Sequence, residues 1–310
     1  MSKITGYLLG DGSITRGWGV GDFINTNQDI VEDLNNLVQK YDCRLVSKTS
    51  KTYYIVKNNL LPKGSYRNPL RTALDSINLK RGNSYNKIIP SVFFDAEKES
   101  IIALIEGLWN ADGYMSKQGQ LGFGSTSKTL CYQVKESLSR FEIICSVIEV
   151  ETNSSFGKFW RIVFAGKSNI AKFYNNFTLT PIKQVLIKQF LQSKRLSCSD
   201  HDWVPSNYIP MIKTIFSNGT KVSKIVGNKQ RTGYPEWNKK GRVKLTKQHL
   251  KHLTQEYEGY KYNEELEKLI NEDIYYEKVD AVKKIGFKRV FSLTMGKYPD
   301  FVVNDYIVHS

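Results

Sequence analysis

The stretch that decides the fold is Ile105-Glu106-Gly107-Leu108-Trp109-Asn110-Ala111-Asp112-Gly113, because Ile4-Thr5-Gly6-Tyr7-Leu8-Leu9-Gly10-Asp11-Gly12 has the same pattern. Each is an apolar run with glycine at its third place and Asp-Gly at its end. The two aspartates are 101 positions apart, about the length of a small domain. Small residues let two helices approach closely. We therefore predict that the two runs pack as helices and bring Asp11 and Asp112 side by side.

Two neighbouring carboxylates need a cation between them. Without one they repel each other, and the pKa of at least one of them rises. Carboxylate and water ligands indicate Mg²⁺ or a similar hard ion. A single Asp-Gly is also a common turn dipeptide. The second copy, with glycine at the same place, favours a metal site made of Asp11 and Asp112.

The two motifs resemble those of the LAGLIDADG homing endonucleases, specifically the dodecapeptide type found inside inteins. The resemblance covers about residues 1–195. It implies an α+β fold of two pseudo-symmetric αββαββα halves, with one motif helix from each half at their interface. It also implies that Asp11 and Asp112 hold two or three Mg²⁺ ions for phosphodiester hydrolysis.

A lysine follows each motif at a similar distance. The segment Asn86-Lys87-Ile88-Ile89-Pro90 resembles the Lys-x-Ile-Pro block of intein endonucleases. The resemblance implies that Lys87 polarises the attacking water or stabilises phosphate charge. Lys183 occupies the equivalent place in the second half. The alternatives to this pair of catalytic lysines are Lys80, Lys188 and Lys194, since most of the 45 basic residues are expected to be solvated.

The charge distribution favours a polyanionic partner, which we expect to be double-stranded DNA. The net charge is +15 and the isoelectric point is near 9.4. Residues 1–195 and residues 213–251 each carry a net +10, whereas residues 252–310 carry −3. The last segment therefore need not contact DNA.

Cysteine, histidine and hydropathy patterns exclude other classes of protein. The four cysteines and four histidines are scattered, so zinc is disfavoured. Isolated cysteines fit a reducing compartment. The chain has no apolar run of membrane-spanning length and no signal-peptide pattern. We expect a soluble, intracellular protein with no membrane partner.

The pattern of the chain predicts four segments: a first half at 1–98, a second half at 99–195, a basic linker or accessory DNA-binding segment at 196–262, and a β-rich segment at 263–310. Helices are predicted near 29–41 and 128–141, between strand-like stretches whose polar faces could meet a DNA groove. The alternative is an ordinary amphipathic sheet facing water, and for 196–262 a solvated linker. The candidate DNA contacts are Arg16, Lys48, Lys51, Tyr53, Lys117, Lys158, Arg161, Arg231, Lys239, Lys240 and Arg242.

Residues 273–310 resemble the C-terminal splicing blocks of inteins, which belong to the all-β Hint fold. His309 matches the penultimate histidine of the family, but Ser310 stands where the cyclising asparagine belongs. We therefore expect no self-splicing by this chain alone. The segment is a remnant, the C-terminal half of a split intein with an N-terminal intein fragment as partner, or a piece altered to stop splicing.

The leading expectation is a monomeric, site-specific homing endonuclease that makes metal-dependent double-strand breaks at a long asymmetric target. One alternative is a LAGLIDADG-type maturase that binds RNA. The other is the C-terminal half of a split intein acting in protein splicing.

Overall fold

The computed structural model describes residues 1–14, 19–58, 67–151, 157–193, 204–217, 245–256, 260–272, 274, 276, 286, 300–303 and 306–309. The chain divides into two compact units, Met1–Lys194 and Arg195–Ser310. This division falls one residue from the predicted boundary at 195/196. All three predicted boundaries, at 98/99, 195/196 and 262/263, stay predictions.

The first unit contains seven α-helices, two short 3-10 helices and seven strands among its described residues. The helices are α1 Ser2–Gly10, α2 Gln28–Gln39, α3 Pro69–Ser76, α4 Lys98–Asp112, α5 Lys128–Ser139, α6 Lys167–Asn176 and α7 Pro181–Gln192. The strands are β1 Asp22–Ile24, β2 Cys43–Ser47, β3 Thr52–Lys57, β4 Tyr114–Met115, β5 Leu121–Ser125, β6 Ser146–Glu151 and β7 Lys158–Phe164. The mixed α+β class is therefore confirmed.

Helices α2 and α5 begin at side-chain caps. The Asn27 side chain accepts a hydrogen bond from the Asp29 N–H, and the Ser127 side chain accepts one from the Leu130 N–H. Such caps satisfy amide groups that have no partner inside the helix. The two helices predicted near 29–41 and 128–141 are confirmed, and each ends two residues before its predicted end.

Two antiparallel sheets lie in the first unit, with strand orders β1-β3-β2 and β4-β5-β7-β6. A bridge between Gly12 and Phe23 adds residues beside β1, and a second bridge joins Ile14 to Gly82. Residues 12–14 therefore stand beside β1 as β4 stands beside β5. The chain leaves α4 directly into β4, and it leaves α1 into residues that bridge to β1.

Aromatic side chains fill the core around α4. Trp109 is fully buried. The centroid of its ring lies 4.9 Å from that of Phe173 and 5.7 Å from that of Phe164. Tyr7 of α1 is also buried and packs edge-on against Phe23 at 6.1 Å. A large buried aromatic ring in each of α1 and α4 thus holds these two helices in the core.

The second unit has a small core of its own, contributed by Val204, Ile212, Phe216, Leu245, Leu250, Leu253, Leu266 and Leu269. Its described α-helices and strands are α8 Ile209–Ser217, α9 Lys247–Glu256, α10 Glu264–Asn271, β8 Asp300–Val303 and β9 Tyr306–His309. Strands β8 and β9 pair antiparallel, Asp300 opposite His309.

The segment predicted as β-rich, 263–310, begins with a helix, α10, rather than with a strand. The Asn263 side chain caps this helix by accepting from the Leu266 N–H, and three glutamates occupy its first turn. Acidic residues there favour a helix N-terminus, and Leu266 and Leu269 are buried on one face. Among the predicted later strands, residues 277–285 and 287–299 lie outside the described residues.

In the described part of the chain, no helix combines the length and apolar character needed to cross a membrane.

Candidate active site

Helices α1 and α4 approach each other at two glycines. A β-carbon on Gly6 would lie 2.1 Å from the Leu104 carbonyl oxygen, and one on Gly107 would lie 2.3 Å from the Lys3 carbonyl oxygen. Any larger residue would force the backbones apart. The glycines therefore allow the contact that brings the C-terminal ends of both helices together.

Asp11 follows the last residue of α1, and Asp112 is the last residue of α4. The two side chains are within hydrogen-bonding reach of one another. Burial, together with the nearby Asp112 carboxylate, raises the pKa of Asp11 to about 6. Partial burial also raises the pKa of Asp112, although much of this residue stays exposed at the rim. The two predicted metal ligands therefore lie side by side, and each raises the other's tendency to hold a proton.

Asn25 contacts Asp11 directly. Its Nδ2 donates to Asp11 Oδ2 at 2.5 Å, and its Oδ1 accepts from the Asn27 N–H at 2.7 Å. This hydrogen bond stabilises the ionised carboxylate and opposes the rise of its pKa. The Ile24 N–H also donates to the Asp11 carbonyl oxygen at 3.1 Å. Strand β1 and the residue after it thus orient Asp11.

Sequence reasoning missed Asn25, although a second repeat contained a signal for it. Phe23-Ile24-Asn25-Thr26-Asn27 is followed 100 positions later by Phe123-Gly124-Ser125-Thr126-Ser127. In each copy the third side chain accepts from the N–H of the fifth residue, which caps the next helix. The third place of this repeat is therefore polar in both copies, with Asn25 after the first motif and Ser125 after the second.

Lys87 donates two hydrogen bonds to the end of α1. Its Nζ lies 2.9 Å from the Leu9 carbonyl oxygen and 2.7 Å from that of Gly10. The carbonyl groups at a helix C-terminus have no partner inside the helix and carry partial negative charge. The ammonium group therefore caps α1 beside Asp11.

Lys183 makes the same kind of contact with α4. Its Nζ lies 2.7 Å from the Trp109 carbonyl oxygen and 2.8 Å from that of Asn110. The Asn110 side chain in turn accepts from the Thr180 N–H at 2.8 Å, which holds the start of α7 against α4. Two lysines from separate parts of the chain thus occupy equivalent positions. Of the alternatives, Lys80 and Lys188 are exposed, and Lys194 lies outside the described residues.

Burial lowers the pKa of both lysines, to about 8 for Lys183, while the two aspartates oppose this shift. Two carboxylates and two ammonium groups therefore share one partly desolvated site. Their charges nearly cancel when all four are ionised. Such a site can accept a cation and an anion together more readily than either alone.

The donor set at this site fits a hard divalent cation. Among the described residues there is no group of three or more His, Cys, Asp or Glu side chains placed to bind a metal. Asp11 and Asp112 would hold the ion, and its other ligands would be water, main-chain carbonyl or phosphate oxygens, as Mg²⁺ prefers.

The predicted DNA contacts are spread over two sheets. Lys48 is exposed and lies over the Tyr54 ring at 4.7 Å, and Arg161 is exposed and lies over the Phe159 ring at 5.7 Å. Tyr53 is half-buried and packs against the core. The remaining described candidates are the exposed Lys51, Lys117 and Lys158, the last paired with Glu149 at 2.6 Å. Arg16, Arg231, Lys239, Lys240 and Arg242 lie outside the described residues, as does the side chain of His309.

Residues 99–178 match the family model described as the LAGLIDADG-like domain. This range begins inside α4 and contains Asp112.

Two curated proteins are similar to longer parts of the chain. A probable translation initiation factor IF-2 of Methanocaldococcus jannaschii is 26% identical over 198 residues, which are 62% of this chain and 16% of that protein. The replicative DNA helicase DnaB of a Synechocystis strain is 20% identical over 258 residues, which are 79% of this chain and 29% of the helicase. The chain spans less than a third of the length of either relative.

Solved structures with distant similarity include the homing endonuclease I-DmoI in complex with DNA and Ca, at 13% identity and a TM-score of 0.41. That match covers 60% of this chain and 95% of the endonuclease. Full-length DUF199/WhiA from Thermatoga maritima is 12% identical, with a TM-score of 0.39, over 72% of this chain and 69% of that protein.

Proposed function

We propose that this chain is a monomeric homing endonuclease that cuts both strands of DNA at a long asymmetric target. The observation that carries the proposal is the pair Asp11 and Asp112 at adjoining helix ends, each helix end capped by a lysine. Both carboxylates belong to one chain, so no second copy is needed to complete the site. Residues 1–98 and 99–195 are proposed as unequal halves, which suits an asymmetric target.

Each residue has a defined task in the proposed reaction. Asp11 and Asp112 would hold two or three Mg²⁺ ions, and these would supply Lewis acidity for phosphodiester hydrolysis. Asn25 keeps the Asp11 carboxylate oriented and ionised. Lys87 and Lys183 keep positive charge at the helix ends, where it stabilises negative charge that develops on the phosphate.

The open faces of the two sheets support DNA as the substrate. Ile24, Val46 and Tyr54 on the first sheet and Ile148 on the second are exposed large apolar residues. Lys48 and Arg161 stand beside aromatic rings on the same faces. A surface that mixes apolar contacts with cations can meet base edges and phosphates in a groove.

The nature of the relatives supports an intein origin. Similar segments occupy a minor part of a translation initiation factor and of a DNA helicase, two proteins with different stated functions. An element inserted into both hosts explains this distribution. On that view the β8–β9 hairpin and His309 belong to a splicing domain, and an N-terminal intein fragment would complete it.

The test is cleavage of a randomised duplex DNA library in the presence of Mg²⁺, followed by sequencing of the ends. The proposal expects discrete cuts by the wild type and loss of cutting in Asp11→Asn and Asp112→Asn. Asp95→Asn is the matched control, because Asp95 is exposed and lies before α4 rather than at its C-terminal end. Retained cutting in both site variants would contradict the assignment. No cutting by the wild type, together with binding of structured RNA, would favour the maturase instead.

A further inference from the structure

The start of α7 is held by two side chains of α4. Glu106 Oε1 accepts a hydrogen bond from the Thr178 N–H at 2.7 Å, and Asn110 Oδ1 accepts one from the Thr180 N–H at 2.8 Å. Glu106 and Asn110 are four residues apart, so they share one face of the helix. Thr180 is the N-cap of α7, but its side chain makes no capping bond, and its Oγ1 has no hydrogen-bond partner among the described residues. The two acceptors on α4 thus hold what the N-cap side chain leaves free.

The orientation of the Asn110 amide decides whether α7 is held in this way. An amide side chain is an acceptor on its oxygen side and a donor on its nitrogen side. If the Asn110 amide turned over, its Nδ2 would face the Thr180 N–H, and two donors would oppose each other. Lys183 follows in the first turn of α7, and its Nζ donates to the α4 main chain at 2.7 and 2.8 Å. A released helix start would therefore displace this ammonium group.

Tyr7 on α1 determines which way the amide points. Its side chain is buried, and its hydroxyl donates to Asp33 Oδ2 at 2.6 Å. The same hydroxyl is within hydrogen-bonding reach of the Asn110 side chain. A hydroxyl has one proton to donate, and an ionised carboxylate can only accept. The Tyr7 oxygen therefore offers Asn110 only a lone pair, which binds Nδ2 and leaves Oδ1 for Thr180.

The electrostatics of Tyr7 agree with this direction of donation. Burial and the hydrogen bond to Asp33 raise the pKa of Tyr7, whereas Asn110 opposes the rise, as an amide that donates to the phenol oxygen does. Lys3 Nζ lies 2.8 Å from the Asp33 Oδ2 that accepts from Tyr7, so a cation stands beside this acceptor. The contacts thus run without a break from Asp33 on α2 to the first turn of α7.

We propose that Tyr7 is a positioning residue that places Lys183 at the end of α4 by fixing the orientation of the Asn110 amide. This inference rests on the proposed function, because Lys183 is assigned there to the cleavage reaction. Leu9 stands in the first motif where Asn110 stands in the second. No amide of this kind therefore serves Lys87, and only one of the two lysines depends on the opposite motif helix.

The first test measures the placement of α7 without any cleavage. Amide hydrogen exchange would be followed by NMR in the metal-free wild type, Tyr7→Phe and Asp33→Ala. The Thr180 N–H should exchange roughly tenfold faster in both variants. Phenylalanine cannot hold the amide, and without Asp33 the Tyr7 hydroxyl proton can turn to Asn110 Oδ1. Asp33 is on the surface of α2 and contacts neither α4 nor α7, so its variant tests the direction of donation with little effect on the core.

Two references separate this effect from general loosening of the fold. The Thr178 N–H is bound by Glu106 instead of Asn110, so its exchange should change much less. Tyr174→Phe, which removes a hydroxyl from a half-buried tyrosine on α6, is the matched control and should exchange like the wild type. Unchanged exchange at Thr180 in both variants would overturn the proposal. Equal acceleration at Thr178 and Thr180 would assign Tyr7 to general stability and would also overturn it.

The second test uses the proposed reaction. Tyr7→Phe should lower the single-turnover cleavage rate roughly five- to tenfold with duplex affinity unchanged, because Lys183 no longer stands at the helix end. In a Lys183→Gln background the same substitution should cost nothing further. Fully additive losses would show that Tyr7 acts elsewhere and would overturn the proposal. A wild type that cuts no DNA would overturn the proposed function, and the exchange rates would still decide whether Tyr7 fixes the amide.

Discussion

Gly6 and Gly107 meet at the crossing of α1 and α4, where a β-carbon on Gly107 would stand 3.2 Å from the Gly6 Cα and 3.0 Å from the Tyr7 nitrogen. The contact is between backbones rather than side chains. The Gly6 Cα and the Tyr7 nitrogen belong to the main chain and cannot rotate away. The separation of the two helix ends therefore depends on Gly6 and Gly107 remaining glycine.

Gly6→Ala should therefore destabilise the first unit by about 2–4 kcal/mol, since the added methyl group meets the Leu104 carbonyl oxygen and the core must shift. Urea unfolding of both proteins would measure the loss. Gly19→Ala is the matched control, because a β-carbon there has no neighbour within 4 Å. Equal stability of Gly6→Ala and wild type would show that the helices can separate without loss.

Asp11→Asn should stabilise the metal-free protein at neutral pH. The pKa of Asp11 is about 6 in the fold and about 3.9 in an unfolded chain. The folded state therefore binds more protons between pH 4 and 6, and the contribution of Asp11 to stability falls as the pH rises through that range. The neutral amide in Asp11→Asn removes this unfavourable contribution. The free energy of unfolding should therefore rise by on the order of 1–2 kcal/mol at pH 7 after solvent screening.

Denaturation at pH 4 and pH 7 would check this prediction. The gain should shrink to a few tenths of a kcal/mol at pH 4, where Asp11 is protonated in the fold and about half protonated in the unfolded chain. Saturating Mg²⁺ should reverse the order at pH 7, because the ion stabilises only the protein with both carboxylates. A variant less stable than wild type at pH 7 without metal would contradict the prediction.

Asn25→Ala should raise the pKa of Asp11 further, by about one unit, because the hydrogen bond from Nδ2 favours the ionised carboxylate. NMR titration of the Asp11 carboxyl carbon would measure the change. Ser125→Ala removes the side chain at the matching place in the second repeat and should leave Asp11 unchanged. Equal Asp11 titrations in Asn25→Ala and wild type would show that the contact has no electrostatic effect.

Lys183→Gln should slow cleavage by roughly 10- to 100-fold, because it removes positive charge from the end of α4. The pKa of Lys183 is about 8, so the wild-type rate should fall as the pH rises through 8 and the ammonium group loses its proton. Single-turnover rates between pH 7 and pH 9 would test both points. Lys188→Gln on the exposed face of the same helix should cleave like the wild type.

Much of this architecture could be predicted because the motif occurs twice. Repetition of glycine and Asp-Gly at fixed places indicated paired helices, and the structure brings Asp11 and Asp112 together accordingly. The order of helices and strands also followed from local patterns, since caps such as Asn27 and Ser127 act within three residues. The motif repeat and the helix caps can be read from the sequence because each depends only on residues close together in the chain.

Contacts between distant residues were harder to predict. The spacing of Lys87 and Lys183 from the motifs indicated a role near the aspartates, but not that each donates to the main chain of a motif helix. Asn25 reaches Asp11 only because β1 returns beside residues 12–14. Helix α10 was missed because its apolar residues were assigned to the β-rich segment, whereas Leu266 and Leu269 pack into a helical core.

The segment that carries Lys87 is fastened by residues much later in the chain. The Ser127 hydroxyl donates to the Lys87 carbonyl oxygen at 2.6 Å, and the Gln133 side chain accepts from the Ile89 N–H at 2.8 Å. A ribosome must therefore translate α5 before the lysine beside Asp11 has its supports. An interrupted translation product that ends before Ser127 would contain Asp11 and Asp112 without this support.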